Sequence, residues 1–467
     1  MKTKHIYFLL YSLLIVILII LNIDNPFFWD KDILDSKQAH WFIENNFNLI
    51  MPDAIDAGHP PFVGFLLAIL WTIFGKNLVV GHVLMGIVAI GVAYQLYRLV
   101  NYFFKDNFVP PVLAVTLAEA ALLSQMVIVS SDLILTFFFL LTLNAILNNK
   151  NTLIFIGAML LALVNLRGMT TAFALGLLAL FINRQQIKTQ WQQIIKVLLP
   201  FALAAIPGVT YLIFHWITKG WFVHHDDSNW QGCYETVDFN GFIQNCIVYT
   251  WRMLDAGRVL VWGIGFVITI LLWKKKYHVD DNIKTIGTLF VLLIVISIPS
   301  SLMANMLIDN RYYLPLFIML SLSVSYLIST SHLTLFVRKS ILTVLFISLF
   351  SGTFWIYPTP ISNCWSATLA HLPYHELRYE MNEFIKEAHI GLNQVGTFVP
   401  YCTSDKYVFL NNSDEIFNRR DFDQHKYIIY SNVFNASDED LEQLATNWKV
   451  IKSLEKGQVN MILYKRQ

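Results

Sequence analysis

The sequence predicts a polytopic α-helical membrane protein of about 11 to 12 transmembrane helices, with a small extracytoplasmic α/β domain at its C-terminus. Three observations carry that prediction. First, 56 % of the 467 residues are hydrophobic and only 14 % are charged, against about 25 % charged in an ordinary soluble protein. Second, apolar runs recur through the first 357 residues and raise the mean hydropathy to +0.52, as repeated bilayer crossings require. Third, the text from residue 370 onward turns polar and mixed. A net charge of +1 excludes an electrostatic nucleic-acid binder. The 35 Phe and 20 Tyr suit lipid-facing surface and interfacial belts.

The opening run, MKTKHIYFLLYSLLIVILIILNI, is about twenty residues of apolar text, longer than a signal-peptide h-region, and no small-x-small cleavage site follows. It reads as a retained first helix, with Lys2 and Lys4 holding the N-terminus in the cytoplasm. Further apolar segments lie near 61–75, 79–100, 108–128, 132–147, 152–166, 169–183, 195–217, 259–273, 284–307, 312–330 and 339–357. Placing every basic cluster (Lys2/Lys4, Arg98/Lys105, Lys150, Arg184/Lys188/Lys196, Lys274 to Lys276 and Arg338/Lys339) inside threads the chain consistently, with one exception. Between the first outer loop and Arg98 only one net crossing fits. PPFVGFLLAILWTIF is short and opens on two prolines, so it reads as re-entrant or surface-lying.

This threading gives a transmembrane module over 1–360 with outer loops 23–60 and 218–258, followed by an outer domain over 361–467. In the tail, HELRYEMNEFIKEA and DEDLEQLATN read as helices. QVGTFVPY, KYIIYS, WKVIKSLEK and VNMILYKR read as strands. All four cysteines, Cys233, Cys246, Cys364 and Cys402, fall outside. There disulfides survive, and Cys233 with Cys246 is the simplest pair to form. Four free thiols are the alternative.

The residues able to carry chemistry gather on that outer side. The first loop holds Asp30, Asp32 and Asp35 in FFWDKDILDSKQAHW. Ala39, Phe42, Ile43 and Phe47 then recur at helical spacing, predicting an interfacial amphipathic helix. It would pin the acids at the membrane surface, where a partly desolvated carboxylate serves as general base or metal ligand. The plain reading is a solvated acidic loop. GHPP at 58–61 is a rigid entry to the next segment and holds His59 at its top. Asp132, Arg167, Arg258 and Arg311 lie at outer helix ends, where charge is costly and faces a cavity or a partner. The arginines suit phosphate through their planar forks. Glu119, inside an apolar span, serves either structural pairing or function. His224, His225 and Asp226 in WFVHHDD form a candidate divalent-metal set, although adjacent side chains converge only where the backbone turns.

The acidic first loop with its surface helix, followed by HPP and FVGFLLAILWTIFG, resembles the GT-C glycosyltransferases. It is most similar to the protein O-mannosyltransferase and lipid A aminoarabinose transferase group. SDLILTFFFLLTLNAIL resembles the next signature, an Asp opening a helix. NLRGMTTAFALGLLALF and RYYLPLFIMLSLS resemble later ones. The likeness covers the first hundred residues as motif and roughly the first 330 as architecture. It implies a sugar donor on a polyprenyl phosphate, inverting transfer to a lipid, glycan or protein acceptor, a loop aspartate as base, and basic residues on the leaving phosphate. The Asp-Glu pair usual in the first loop is absent. The Phe-Trp-Asp context favours Asp30 as base, the spacing to Pro52 favours Asp32, and Asp35 comes third as a helix cap. His59, Asp132, Arg167, Arg258 and Arg311 are the substrate-binding candidates. The outer side is periplasm, cell exterior or endoplasmic reticulum lumen, and the compact tail without a retention signal points to a bacterial inner membrane. The competing reading is a multi-pass transporter or flippase of a lipid-linked or anionic substrate. That class shows repeats and midplane charge, whereas here no repeat is visible and the charges gather at one face.

Overall fold

The computed structural model describes residues 3–467 apart from 30, 31, 224, 226–230, 276–278, 306, 307, 359, 360, 362, 412 and 435. The chain opens with α1 (Thr3–Ile20), a π-helical turn over Asp32–Ser36 and α2 (Lys37–Glu44). Then come α3 (Phe62–Phe74), α4 (Leu78–Phe103), α5 (Val109–Leu117), α6 (Ala120–Val127), α7 (Ser131–Leu147), α8 (Asn151–Val164) and α9 (Leu166–Ile182). A short α10 (Arg184–Thr189) leads to α11 (Gln193–Lys219), α12 (Gln231–Tyr234), α13 (Phe239–Leu254), α14 (Arg258–Lys274), α15 (Asp281–Leu302), α16 (Leu314–Thr330) and α17 (Leu335–Gly352).

Among the described residues, α4, α11, α15, α17 and the stretch Asn310–Thr330 are long and apolar enough to cross a membrane. The bent pairs α5–α6, at 67°, and α13–α14, at 82°, raise the number to seven if each is one span. The remaining apolar helices are shorter. At 1.5 Å per residue, the 13 residues of α3 reach about 20 Å, short of a straight crossing of about 30 Å. α16 runs through the interior, buried from Leu314 to Leu322 without a break. α11 and α15 turn Ile206, Ile213, Val291 and Val295 outward, the surface a lipid bilayer wets.

The segment 218–258 differs from expectation. Its second half is not loop but α13, with Phe239, Ile243, Ile247 and Trp251 exposed at four-residue intervals. Asp238 caps it, accepting from Gly241 N at 2.8 Å. The sharp bend into α14 needs Gly257 at φ +83. A Cβ there would lie 2.1 Å from Ser348 O, so α17 approaches the kink to backbone contact, where only glycine fits.

The tail folds as read. Pro373–Glu387 forms α18, Asp405–Val408 forms α19 and Asp438–Asn447 forms α20. β1 (Val395–Thr397), β2 (Asn418–Arg419), β3 (Tyr427–Ser431), β4 (Trp448–Lys456) and β5 (Val459–Arg466) make one mixed sheet in the order β2-β1-β3-β5-β4. β2 is the strand that the sequence did not announce. Two residues cannot show an alternating pattern. β4 and β5 join through Gly457, at φ +62, the turn chemistry that a two-residue hairpin demands.

Two hydrophobic cores result, and the second is shared. Around Tyr374, Met381, Ile428 and Met461 it takes in Phe28, Val127 and Ile128 from the helical part. Phe28 stacks on His371 at 4.4 Å, and Phe27 N donates to Val408 O at 3.0 Å. Cys246 and Cys364 are free thiols, so no bridge joins Cys233 to Cys246.

This seam carries a pH dependence. Burial pushes the His371 imidazole down to about 4, against the raising effect of the Thr368 carbonyl. Burial, then His371 and Arg378, also hold His375 well below the ordinary histidine value. A histidine whose folded pKa is depressed favours the unfolded state once pH drops below about 6.5. Stability is therefore full above that value and falls until pH 4, by roughly 3 kcal/mol from His371. The midpoint of thermal unfolding should drop between pH 7 and pH 4.5, and His371→Phe, which keeps the ring against Phe28, should flatten the slope.

Candidate functional site

The segment from Asp32 to Glu44 is built as a wall of the site. The π-turn Asp32–Ser36 runs into α2, whose Ala39 and Phe42 are fully buried. Phe42 meets Phe65 of α3 edge-on at 5.3 Å, so the amphipathic helix packs on the helix that follows it. Ser36 Oγ donates to Tyr407 O at 2.8 Å, and Lys406 pairs with Glu44 at 2.8 Å. That hydrogen bond, set against burial, raises the Lys406 ammonium above its ordinary range. The sheet domain thus braces the segment from outside.

GHPP is fixed by a second set of contacts. Gly58 sits at φ +67, and a Cβ there would meet Val223 O at 2.0 Å, which explains the glycine. Its N–H donates to Asp56 Oδ1 at 3.0 Å. Asp56 is buried and its other oxygen meets His215 Nε2 at 3.0 Å and Lys219 at 3.7 Å. Lys219 also reaches Asp53 at 2.5 Å. Burial would raise the Asp53 carboxyl, but Lys219 outweighs it and leaves the group below its ordinary range. The end of α11 therefore clamps the loop just before His59.

The opposite wall is made of helix starts. Ser130 caps α7 by accepting from Asp132 N at 3.1 Å, and Asn165 caps α9 by accepting from Gly168 N at 3.0 Å. These caps put Asp132 and Arg167 in the first turns of neighbouring helices. Arg167 Nη1 lies 2.7 Å from Asp132 Oδ1. Arg311, just before α16, lies 3.7 Å from Asp132 Oδ2 and 3.0 Å from Asp309 Oδ2. Asp309 also accepts from Ser366 Oγ at 2.9 Å. The Arg167 guanidinium stacks over Tyr312 at 4.0 Å. Arg311 is 2 % exposed, whereas Arg167 keeps 32 % of its side chain open. The quartet is neutral in sum, and Arg167 is the cation it presents.

Between these walls lies a cavity of about 240 Å³. Asp35, 4 % exposed, lines it together with His59, Arg167 and Tyr312, above apolar Val164, Leu293, Ile296 and Leu316. A carboxylate, an imidazole and a stacked guanidinium thus share one pocket with a lipophilic floor. Such a set can take a proton at one side and hold an anion at the other.

The sequence candidates divide accordingly. His59, Arg167 and Asp132 come together, and Arg311 backs them. Arg258 does not line the cavity. It is buried against Glu119, donates to Arg252 O at 2.8 Å and to Asn310 Oδ1 at 2.9 Å, and lies 3.8 Å over Phe317. Arg258 and Glu119 thus form a buried ion pair away from the cavity lining. Asp30 lies outside the described residues, as does the Asp32 side chain. His224 and Asp226 also lie outside them. His225 stands beside Trp221, with ring centroids at 5.7 Å, and no metal-binding cluster occurs among the described residues. Sequence reasoning passed over Tyr312 and the Asp56–His215 pair. Tyr312 is adjacent to Arg311 in DNRYYLP, so an aromatic beside an expected phosphate-binding arginine was a usable signal. Nothing in the sequence joins positions 56 and 215.

Over 99 % of its length the chain superposes on 98 % of ArnT from Cupriavidus metallidurans bound to undecaprenyl phosphate, with TM-score 0.57 at 10 % identity. Its match to the apo state of that protein has TM-score 0.54, covers 97 % of each chain and is likewise 10 % identical. No protein-family model and no curated protein sequence matches the chain. The chain has the fold of ArnT, with helices long and apolar enough to cross a membrane among the described residues and a five-stranded C-terminal sheet domain.

Proposed function

We propose that this chain, on its ArnT-type GT-C scaffold, transfers a sugar from a polyprenyl-phosphate carrier to a hydroxyl-bearing lipid, glycan or protein acceptor on the outer face of a bacterial inner membrane. The observation that carries the reading is the shared cavity of Asp35, His59 and Arg167 over an apolar floor. A polyprenyl-phosphate sugar is an anion with a polar head and a lipophilic tail, and that lining complements both. The ArnT structure bound to undecaprenyl phosphate supports the same carrier class.

In the proposed step the acceptor hydroxyl attacks the anomeric carbon and the bond from that carbon to the phosphate oxygen breaks. Polyprenyl phosphate leaves with the electron pair, and the configuration inverts. Asp35 takes the hydroxyl proton. Its buried side chain lines the cavity wall, which supports it as the base, with Asp30 and Asp32 as the alternatives. Arg167 meets the leaving phosphate through N–H donors not used by Asp132. Asp132 and Arg311 hold Arg167 in place, and His59, fixed by GHPP, lies on the donor side. The metal set around His225 has no assigned part in this step.

The test is turnover. Purified protein is given radiolabelled polyprenyl-phosphate sugars one at a time with a membrane acceptor fraction, and release of polyprenyl phosphate is followed. Arg167→Ala should raise KM for the donor about ten- to a hundredfold, the value of charge-assisted hydrogen bonds. Arg167→Lys should recover part of that, because it restores charge without the planar fork. Neither binding nor turnover of any such donor would overturn the reading in favour of transport.

A further inference from the structure

A second cleft lies at the other end of the molecule from the cavity just described. It is lined by Lys4, Tyr7 and Tyr11 of α1, by Asp106 and Pro110 before and within α5, and by Lys339, Leu342 and Phe346 of α17. α1 has 18 residues, about 27 Å at 1.5 Å per residue. Lys4 opens that helix, while the loop bearing Asp35 follows its far end. The cleft is open and holds about 840 Å³.

Its lining is graded along the helix axis. At the mouth stand the ammonium groups of Lys4 and Lys339, with Asp106, exposed, 2.8 Å from Lys4. Lys105 precedes Asp106 and Arg338 precedes Lys339. Arg338 is committed to Ser329 O and the Phe108 ring. Two turns further along α1, about 10 Å deeper, the wall is Tyr11, Pro110, Leu342 and Phe346. Tyr11 closes its hydroxyl on Pro110 O at 3.2 Å, so the deep part is apolar in effect. Outside the cleft, Leu10, Leu13 and Leu14 of α1 and Val344 and Ile347 of α17 face outward, so the deep end opens at bilayer depth. A free anion would find charge here and no use for the apolar floor. An amphiphile with a phosphate head matches both parts.

We infer that this cleft binds an anionic glycerophospholipid, with its phosphate at Lys4 and Lys339 and an acyl chain between α1 and α17. The site is separate from the sugar-transfer cavity and stands whether or not that activity does. Lys4 must loosen from Asp106 or share its donors between the two anions. Lys339 meets the headgroup without that competition from its own helix. A bound lipid would splint the starts of α1, α5 and α17, three elements that are distant in sequence.

The test is native mass spectrometry of the full chain released from mixed phosphatidylglycerol and phosphatidylcholine nanodiscs. Wild type should retain phosphatidylglycerol preferentially. The preference should fall by about fivefold per lysine removed, and hence by about 25-fold in Lys4→Gln/Lys339→Gln. Lys449→Gln, which removes an exposed charge from β4 in the sheet domain, should keep it. Thr343→Trp, which fills the cleft and leaves both lysines, should lose lipid retention with the charge intact. Equal retention of the two lipids by wild type would overturn the proposal. So would a preference that survives both the double variant and Thr343→Trp, or displacement of the lipid by millimolar inorganic phosphate.

Discussion

Asp35→Asn should lower turnover by about 10²- to 10⁴-fold, the range that a positioned general base contributes, while donor binding stays near the wild-type level. The substitution keeps shape and volume and removes the proton acceptor. Asp35 lies at the junction of three supports. Ser36 is tied to Tyr407, α2 is stacked on α3, and Gln38 donates to Ile55 O at 3.1 Å. A carboxylate held this way needs little reorganisation when the acceptor arrives. Asp30→Asn and Asp32→Asn are the companion measurements. If Asp30→Asn abolishes turnover and Asp35→Asn does not, the base is the residue that the Phe-Trp-Asp context favours, and Asp35 lines the cavity for binding alone. Donor binding separates the outcomes, because a base variant loses kcat and a positioning variant loses KM as well.

The helical bundle was legible because apolar length is a property of composition, and the sheet domain because its long strands and capped helices carry local signals. α20 is an example. Ser437 and Asp440 form a reciprocal capping box, and Arg420 holds Asp440 by two bonds of 2.8 and 2.7 Å. α13 was missed for a physical reason. α13, bent 82° from α14, interleaves Asn240, Gln244, Asn245 and Arg252 with its apolar residues, so no continuous apolar run marks it. Only its four-residue period, Phe239 to Trp251, gives it away. In the site, Asp132, Arg167 and Arg311 were each legible as charge at a helix end. Their meeting was not, since it depends on three helices starting at one level. Arg258 read the same way in the text and belongs elsewhere, because its partner Glu119 sits at the break between α5 and α6 and pulls it inward.

That pair supports the second large expectation. Glu119→Ala should destabilise the protein by roughly 3–5 kcal/mol, the cost of stranding one partner of a buried ion pair. Both side chains are 1 % exposed, so water cannot replace the lost carboxylate. Arg258→Met should cost less. A stranded carboxylate can take a proton and become neutral, whereas a guanidinium keeps its charge. Glu119→Leu with Arg258→Met should come back toward wild type, since an apolar pair of similar volume needs no compensation. Thermal unfolding in detergent should therefore rank the single glutamate variant lowest, the arginine variant next and the double variant close to wild type. The effect should reach the cavity. Arg258 also holds Asn310, which in turn donates to Asp255 at 3.2 Å, and Asn310 is the residue before Arg311. Freed of that hold, the short helix Asn310–Tyr313 loses the anchor that sets Arg311 on Asp132 and Asp132 on Arg167. Glu119→Ala should then raise KM for the donor in the surviving folded protein. A variant that is destabilised but keeps the wild-type KM would show that the helix is fixed by Asp309 and Ser366 alone.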